Sequence, residues 1–105
     1  MPFDCTATDT TTQFLLELRD RLTRENWRPY AISYPLEFQA GKGCLIQQFH
    51  YVVRQRGGLP YDSLRSVQKR LIKAARCKTF DRLARFNDRH TLEDVCALVD
   101  KAIAG

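Results

Sequence analysis

Between Thr10 and Glu25 the large apolar residues are Phe14, Leu15, Leu18 and Leu22, and Glu17, Arg19, Asp20, Arg21 and Arg24 fill the positions around them. Steps of one, three and four put the apolar set on one side of a 3.6-residue helix and the charges on the other. Asp9 or one of Thr10, Thr11 and Thr12 is the natural cap, because a short side-chain oxygen can accept an amide proton of the first turn. Residues 1–9 are polar after Phe3, which predicts a frayed N-terminus ahead of a single helical domain over 10–105. A second helix is predicted from Cys44 to about Arg56, with Leu45, Ile46, Phe49, Val52 and Val53 inward and Gly57-Gly58 closing it. Asp62 or Ser63 opens a third, reaching about Arg76, with Leu64, Val67, Leu71, Ala74 and Ala75 on its apolar side. Thr79 precedes a shorter helix with Phe80, Leu83, Ala84 and Phe86, and Asn87-Asp88 predicts a turn after it. Thr91, with Asp94 three residues on, approximates a capping box for a last helix carrying Leu92, Val95, Val99, Ala102 and Ile103. Lys101 falls in its final turn, where the helix dipole favours a cation. Leu18, Leu22, Phe49, Val53, Leu71, Val95 and Val99 are the expected common core.

Residues 27–38 break the pattern. Tyr30, Ile32, Tyr34, Leu36 and Phe38 alternate with smaller or polar residues, a period of two that predicts extended chain. Pro29 and Pro35 lack backbone donors, and no second alternating stretch exists to pair with this one. The expectation is an extended aromatic arm whose large side chains cover the core; turned outward, they would form an apolar patch for a partner or a second copy. The fold class is all-α, a compact bundle of about five short helices with this one arm.

Composition narrows the class. A chain of 105 residues with 44% hydrophobic and 28% charged residues is an ordinary globular domain with one core. No apolar run approaches the roughly 20 residues that span a bilayer. The first ten residues lack a basic segment followed by an apolar one, so no secretion signal is predicted and the cytoplasm is the expected compartment. Cys5, Cys44, Cys77 and Cys96 are widely dispersed, which suits apolar fillers in a reducing environment better than a disulfide framework.

The charge is concentrated. Of a net +5, the segment from Asp62 to His90 holds nine cations against Asp62, Asp81 and Asp88. Within it Arg65, Lys69, Arg70, Lys73 and Arg76 are read as one stripe, about 16 Å long at 1.5 Å per residue. Such a stripe is expected to face an acidic partner, and with Tyr30 and Tyr34 of the arm it forms the predicted binding set. An acidic protein or a homodimer contact is the leading expectation, since the aromatic residues that could stack on bases lie outside the stripe. Nucleic-acid binding through the helix 63–76 is the alternative. A helix-turn-helix over 49–75 is disfavoured by its long connector, Gly57 to Tyr61.

Candidate chemistry centres on Cys44, which follows Gly41-Lys42-Gly43 into the first turn of a helix where a thiolate would be stabilised. His90, Asn87 and Asp88 could complete a Cys–His–Asn set; His50 lies about 9 Å along the same helix and points elsewhere. A buried, quiet Cys44 is the expectation, and a thiol enzyme the second alternative. Gly41-Lys42-Gly43 lacks the preceding strand, the first glycine and the Ser or Thr of a phosphate loop. Cys44, His50, Cys77, His90 and Cys96 have no ligand spacing. No cofactor, metal, membrane contact or small-molecule substrate is therefore predicted, and the chain is expected to work by binding, not catalysis.

Several of these landmarks together resemble a family of small uncharacterised proteins of bacteria, notably actinobacteria and proteobacteria, and their phages. The landmarks are the Leu-rich first helix, Trp27, Cys44-Leu45-Ile46 opening a helix, then Phe86-Asn87-Asp88, Thr91 and Val95. The family pattern has Gly-Trp, Cys-x-x-Gly-Ala, Trp- or Phe-Asn-Asp and Arg-Thr; here Asn26-Trp27, Gln47-Gln48 and His90-Thr91 depart from it. The resemblance, spanning Phe14 to Ile103, implies a fold and an accessory role on mobile elements, such as acting on a host defence complex.

Overall fold

The computed structural model describes residues 9–30, 36 and 40–105. They form five α-helices: α1 Thr10–Arg21, α2 Leu45–Gln55, α3 Tyr61–Ala75, α4 Leu83–Arg89 and α5 Leu92–Ala104, with a 3₁₀ turn Phe80–Arg82 leading into α4. No strand occurs among the described residues; the extended segment at Trp27 makes one isolated parallel bridge to Gly43. No described helix is long and apolar enough to cross a membrane.

Each start has a local cause. Asp9 caps α1 by accepting from Thr12 N at 2.7 Å, and that bond pulls its carboxyl below the usual range. Residues 1–8, predicted to fray, lie outside the described residues. Helix α1 stops at Arg21, one turn short of the predicted Glu25, and Leu22 leaves the helical region while staying buried. Thr91 caps α5 in the predicted way, its hydroxyl accepting from Asp94 N at 3.2 Å while Asp94 accepts from Thr91 N at 3.3 Å. Helix α3 begins at Tyr61, before either predicted cap, with Pro60 in the cap position.

The core is a layer of α1, α3 and α5 closed at one side by α2 and α4. Phe14, Leu15, Leu18 and Leu22 from α1 and its end meet Val67 and Leu71 of α3, Val95, Leu98, Val99 and Ala102 of α5, and Leu45, Phe49 and Val52 of α2. Phe49 packs edge-on to Phe14 at 5.0 Å and against Phe80 at 4.8 Å. Six of the seven predicted core residues are buried; Val53 is only half-buried, and Leu98, unassigned by the sequence pattern, takes a full core place. The reason is rotation: α2 buries Leu45, Gln48, Phe49 and Val52, a stripe centred on the i, i+3, i+4, i+7 positions with a polar residue inside it.

The predicted turn at Asn87-Asp88 is a correction. Asn87 lies within α4 and is fully buried. Its Oδ1 accepts from Trp27 Nε1 at 2.5 Å and from Leu45 N at 3.0 Å, and its Nδ2 donates to Arg28 O at 3.0 Å. One amide thus joins α4, the start of α2 and the segment after α1. Gln48 does the same work one turn along α2: Nε2 donates to Asn26 O at 2.9 Å and Gly41 O at 2.8 Å, and Oε1 accepts from Arg21 Nε at 3.1 Å. Gly41, at φ +82°, leaves the space that Arg21 and Tyr51 fill, and a Cβ there would overlap both.

Most of the predicted arm, residues 31–35 and 37–39, lies outside the described residues, Tyr34 included. Tyr30 and Leu36 do not cover the core: they are 59% and 80% exposed. Leu36 O accepts from Ala40 N at 3.0 Å. The described ends of the segment meet each other, through the bridge of Trp27 to Gly43.

Candidate functional site

The predicted stripe divides in two. Arg65, Lys69, Lys73 and Arg76 succeed one another by four, four and three residues, so they share a line along α3, and all four are exposed. Arg70 is a correction: it sits 100° around the helix from Lys69 and is half-buried. Its guanidinium donates to Ala102 O at 2.9 Å, Ile103 O at 2.7 Å and Thr12 Oγ1 at 3.2 Å. Arg70 therefore clamps the C-terminus of α5 to the start of α1, satisfying carbonyls that the helix end leaves unpaired.

The cationic line continues past α3. Arg76 takes a left-handed conformation at the end of the helix (φ 56°), turning the chain toward α4. Around that turn Arg76, Cys77, Lys78, Arg82, Arg85 and Arg89 line a shallow cleft of about 370 Å³. Counting from Arg65, eight exposed cations follow one another over this face. The three ion pairs among the described residues, Arg19–Asp100, Arg24–Glu93 and Arg56–Glu17, all lie elsewhere. Arg65 lies 5.8 Å over the ring of Tyr61, which is 68% exposed at the N-terminal end of the ridge. Lys78, Arg82, Arg85 and Arg89 stand outside the predicted binding set and show in the sequence only as local charge; their clustering depends on the Arg76 turn, which helical spacing does not disclose. Tyr30, the other described member of that set, lies after Pro29 in the segment that follows α1, away from the α3 line in sequence and on a different element.

Cys44 is buried at the cap of α2, where its N–H donates to Gln47 Oε1 at 3.1 Å. Burial pushes its thiol up, outweighing the nearby amides of Gln47 and Ile46. The proposed partners are engaged elsewhere. His90 stacks on Phe86 with centroids 3.9 Å apart and makes its Nδ1 contact with Phe86 O at 2.8 Å. His50 is exposed and packs edge-on to Phe49, and both ends of the Asn87 amide are used. Cys44, Cys77 and Cys96 are free thiols. Among the described residues no group of three or more His, Cys, Asp and Glu side chains is placed to hold a metal ion.

A second concavity, about 560 Å³, lies between the segment after α1 and the start of α5. Trp27, Pro29 and Leu92 form its apolar walls, with Arg24, Arg28, His90, Thr91 and Glu93 around them. Compared with protein-family models, curated proteins and solved structures, the chain matches none.

Proposed function

We propose that this protein acts by binding, and that its contact surface is the cationic ridge from Arg65 along α3 to Arg89, which takes the phosphate backbone of a nucleic acid. The observation that supports this is the eight exposed cations, five of them arginines, that make no ion pair among the described residues, with Asp62 the one carboxylate sharing a cleft with Arg65 and Lys69. Guanidinium groups match phosphate oxygens two at a time, and each phosphate neutralised releases condensed counterions. A protein–protein contact of similar extent normally has an apolar centre ringed by charge. Among the described residues the ridge has few large apolar anchors: of the exposed Leu16, Tyr30, Leu36 and Tyr61, Tyr61 is the one on α3, and the groove beside Lys69 and Lys73 is lined by the small Ala74 and Ala102. That tilts the reading from the acidic protein expected from sequence toward a polyanion without apolar anchors.

Tyr61 favours a second reading, in which an acidic protein anchors on that ring while its carboxylates meet Arg65, Lys69 and Lys73. Either fits the accessory role that the family resemblance implies. Fluorescence anisotropy with a mixed-sequence duplex at ~150 mM salt, where distant charges are screened, separates them when polyglutamate of matched charge is the competitor. Duplex binding that polyglutamate fails to displace supports the backbone reading. Absence of duplex binding, or equal displacement, contradicts it.

A further inference from the structure

We propose that the cleft beside Trp27 accepts an unpaired nucleobase of the strand whose backbone lies on the ridge, an inference that rests on the reading above. The ridge itself offers phosphate contacts and almost no aromatic surface. The Trp27 cleft offers what is missing, and it adjoins the ridge at consecutive residues: Arg89 lines the cationic cleft and His90 lines this one. The two clefts therefore meet at the C-terminal end of α4, where a strand held by Arg89 has the wall at His90 as its neighbour.

The walls are held before any ligand arrives. The indole N–H of Trp27 is tied inward to Asn87 Oδ1, which fixes the ring plane and leaves its hydrocarbon surface as the part that meets the cleft. His90 is fixed by its stack on Phe86, and the carbonyl of Phe86 holds the proton of a neutral ring on Nδ1, leaving Nε2 as an acceptor. Arg28 Nη1 is spent on the carbonyls of Glu25 and Trp27, at 3.1 and 2.9 Å, so its planar guanidinium is held at the rim with its other N–H groups unpaired among the described residues. Glu93, paired at 3.2 Å with Arg24 across the mouth, adds an acceptor. A fixed indole, a planar cation and acceptors on both sides suit a flat heteroaromatic ring that carries amino or imino donors. A bare phosphate would instead meet Glu93 without using Trp27. Rigid aromatic surface of this kind is what single-strand binding proteins stack bases upon.

Trp27 is the one tryptophan of the chain, so its fluorescence reports on the cleft directly. Replacing it would remove the Asn87 bond and endanger the fold, so the base is removed from the ligand instead. A labelled 12-nucleotide single strand and the same strand with abasic sites throughout its middle are titrated, following anisotropy and Trp27 emission together. The intact strand is expected to quench Trp27 and to bind at least about 5-fold more tightly than the abasic one, the lower end of what one stacked base contributes. His90→Ala, at an exposed position, is expected to reduce that difference while leaving abasic binding unchanged. Equal affinities with unchanged Trp27 emission overturn the base site and leave the ridge standing. Failure of both strands to bind overturns the ridge and the base site together.

Discussion

Asn87 shows how much one residue can organise without showing itself in a hydropathy pattern. Asn before Asp reads as a turn because both side chains compete for nearby amides. In the fold those same bonding groups turn inward and serve Trp27, Leu45 and Arg28, three partners between 42 and 60 residues away. Sequence spacing carries no signal of partners so remote. Asn87→Ala leaves the half-buried indole N–H of Trp27 and the buried backbone N–H of Leu45 without that acceptor, and loss of a buried partner costs about 1–3 kcal/mol. Urea unfolding is expected to show a loss of about 2–5 kcal/mol, and a loss below 1 kcal/mol would mean water replaces the amide. Cys44 was legible as a buried filler, because an apolar helix start in a small domain has little spare surface. Its raised thiol makes alkylation at neutral pH slow, with the half-buried Cys77 reacting before it. The sign for stability follows: the protonated thiol is the form the fold prefers. This contribution is fully present below the ordinary thiol range and is lost as pH rises through the elevated value. Cys44→Ala should therefore flatten the alkaline limb of a stability–pH curve.

Among the elements, the four long helices were legible because each carries three or four apolar residues on one side, and burial of that side outweighs everything else. Their boundaries moved by up to four residues, since caps compete: Pro60 starts α3 where Asp62 or Ser63 was expected. Of the aromatic arm, the described Tyr30 and Leu36 are exposed and do not cover the core, since a period of two in sequence does not say which surface, if any, lies beneath it. The basic stripe was legible as a line, but Arg70 was not separable from it by charge alone; only the 100° offset and the nearby end of α5 distinguish it. These roles diverge on substitution. Lys69→Glu or Lys73→Glu alters an exposed charge and should change thermal stability little, within about 0.5 kcal/mol. Arg70→Glu removes three hydrogen bonds and sets a carboxylate against the carbonyl end of α5, and should cost about 2 kcal/mol or more. Equal melting temperatures for Lys69→Glu and Arg70→Glu would refute the clamp. In the core, Leu18→Ala and Phe49→Ala should each cost about 2–5 kcal/mol, read by the same denaturant titration.

For the whole molecule, the fold separates tasks. Helices α1, α2 and α5 and the amides of Gln48 and Asn87 hold the core and the connecting segment, while the outer line of α3 and the turn into α4 gather cations that outnumber Asp62, Asp81 and Asp88 and make no ion pair among the described residues. Gathering like charges is unfavourable for folding by itself, and it persists here on a surface away from the three ion pairs. The local excess was visible in the sequence as nine cations in one segment; its shape, a ridge bending at Arg76, required the fold. The most direct measurement is the salt dependence of duplex binding by the wild-type protein and by a variant combining Lys69→Glu, Lys73→Glu, Arg82→Glu and Arg85→Glu. Both are first checked by circular dichroism, and all four sites are exposed. The wild type should bind with log affinity falling against log salt at a slope of about −4 or steeper, and the variant should lose binding while remaining folded. A slope near zero, or a folded variant that binds as the wild type does, would contradict the cationic ridge as the contact surface.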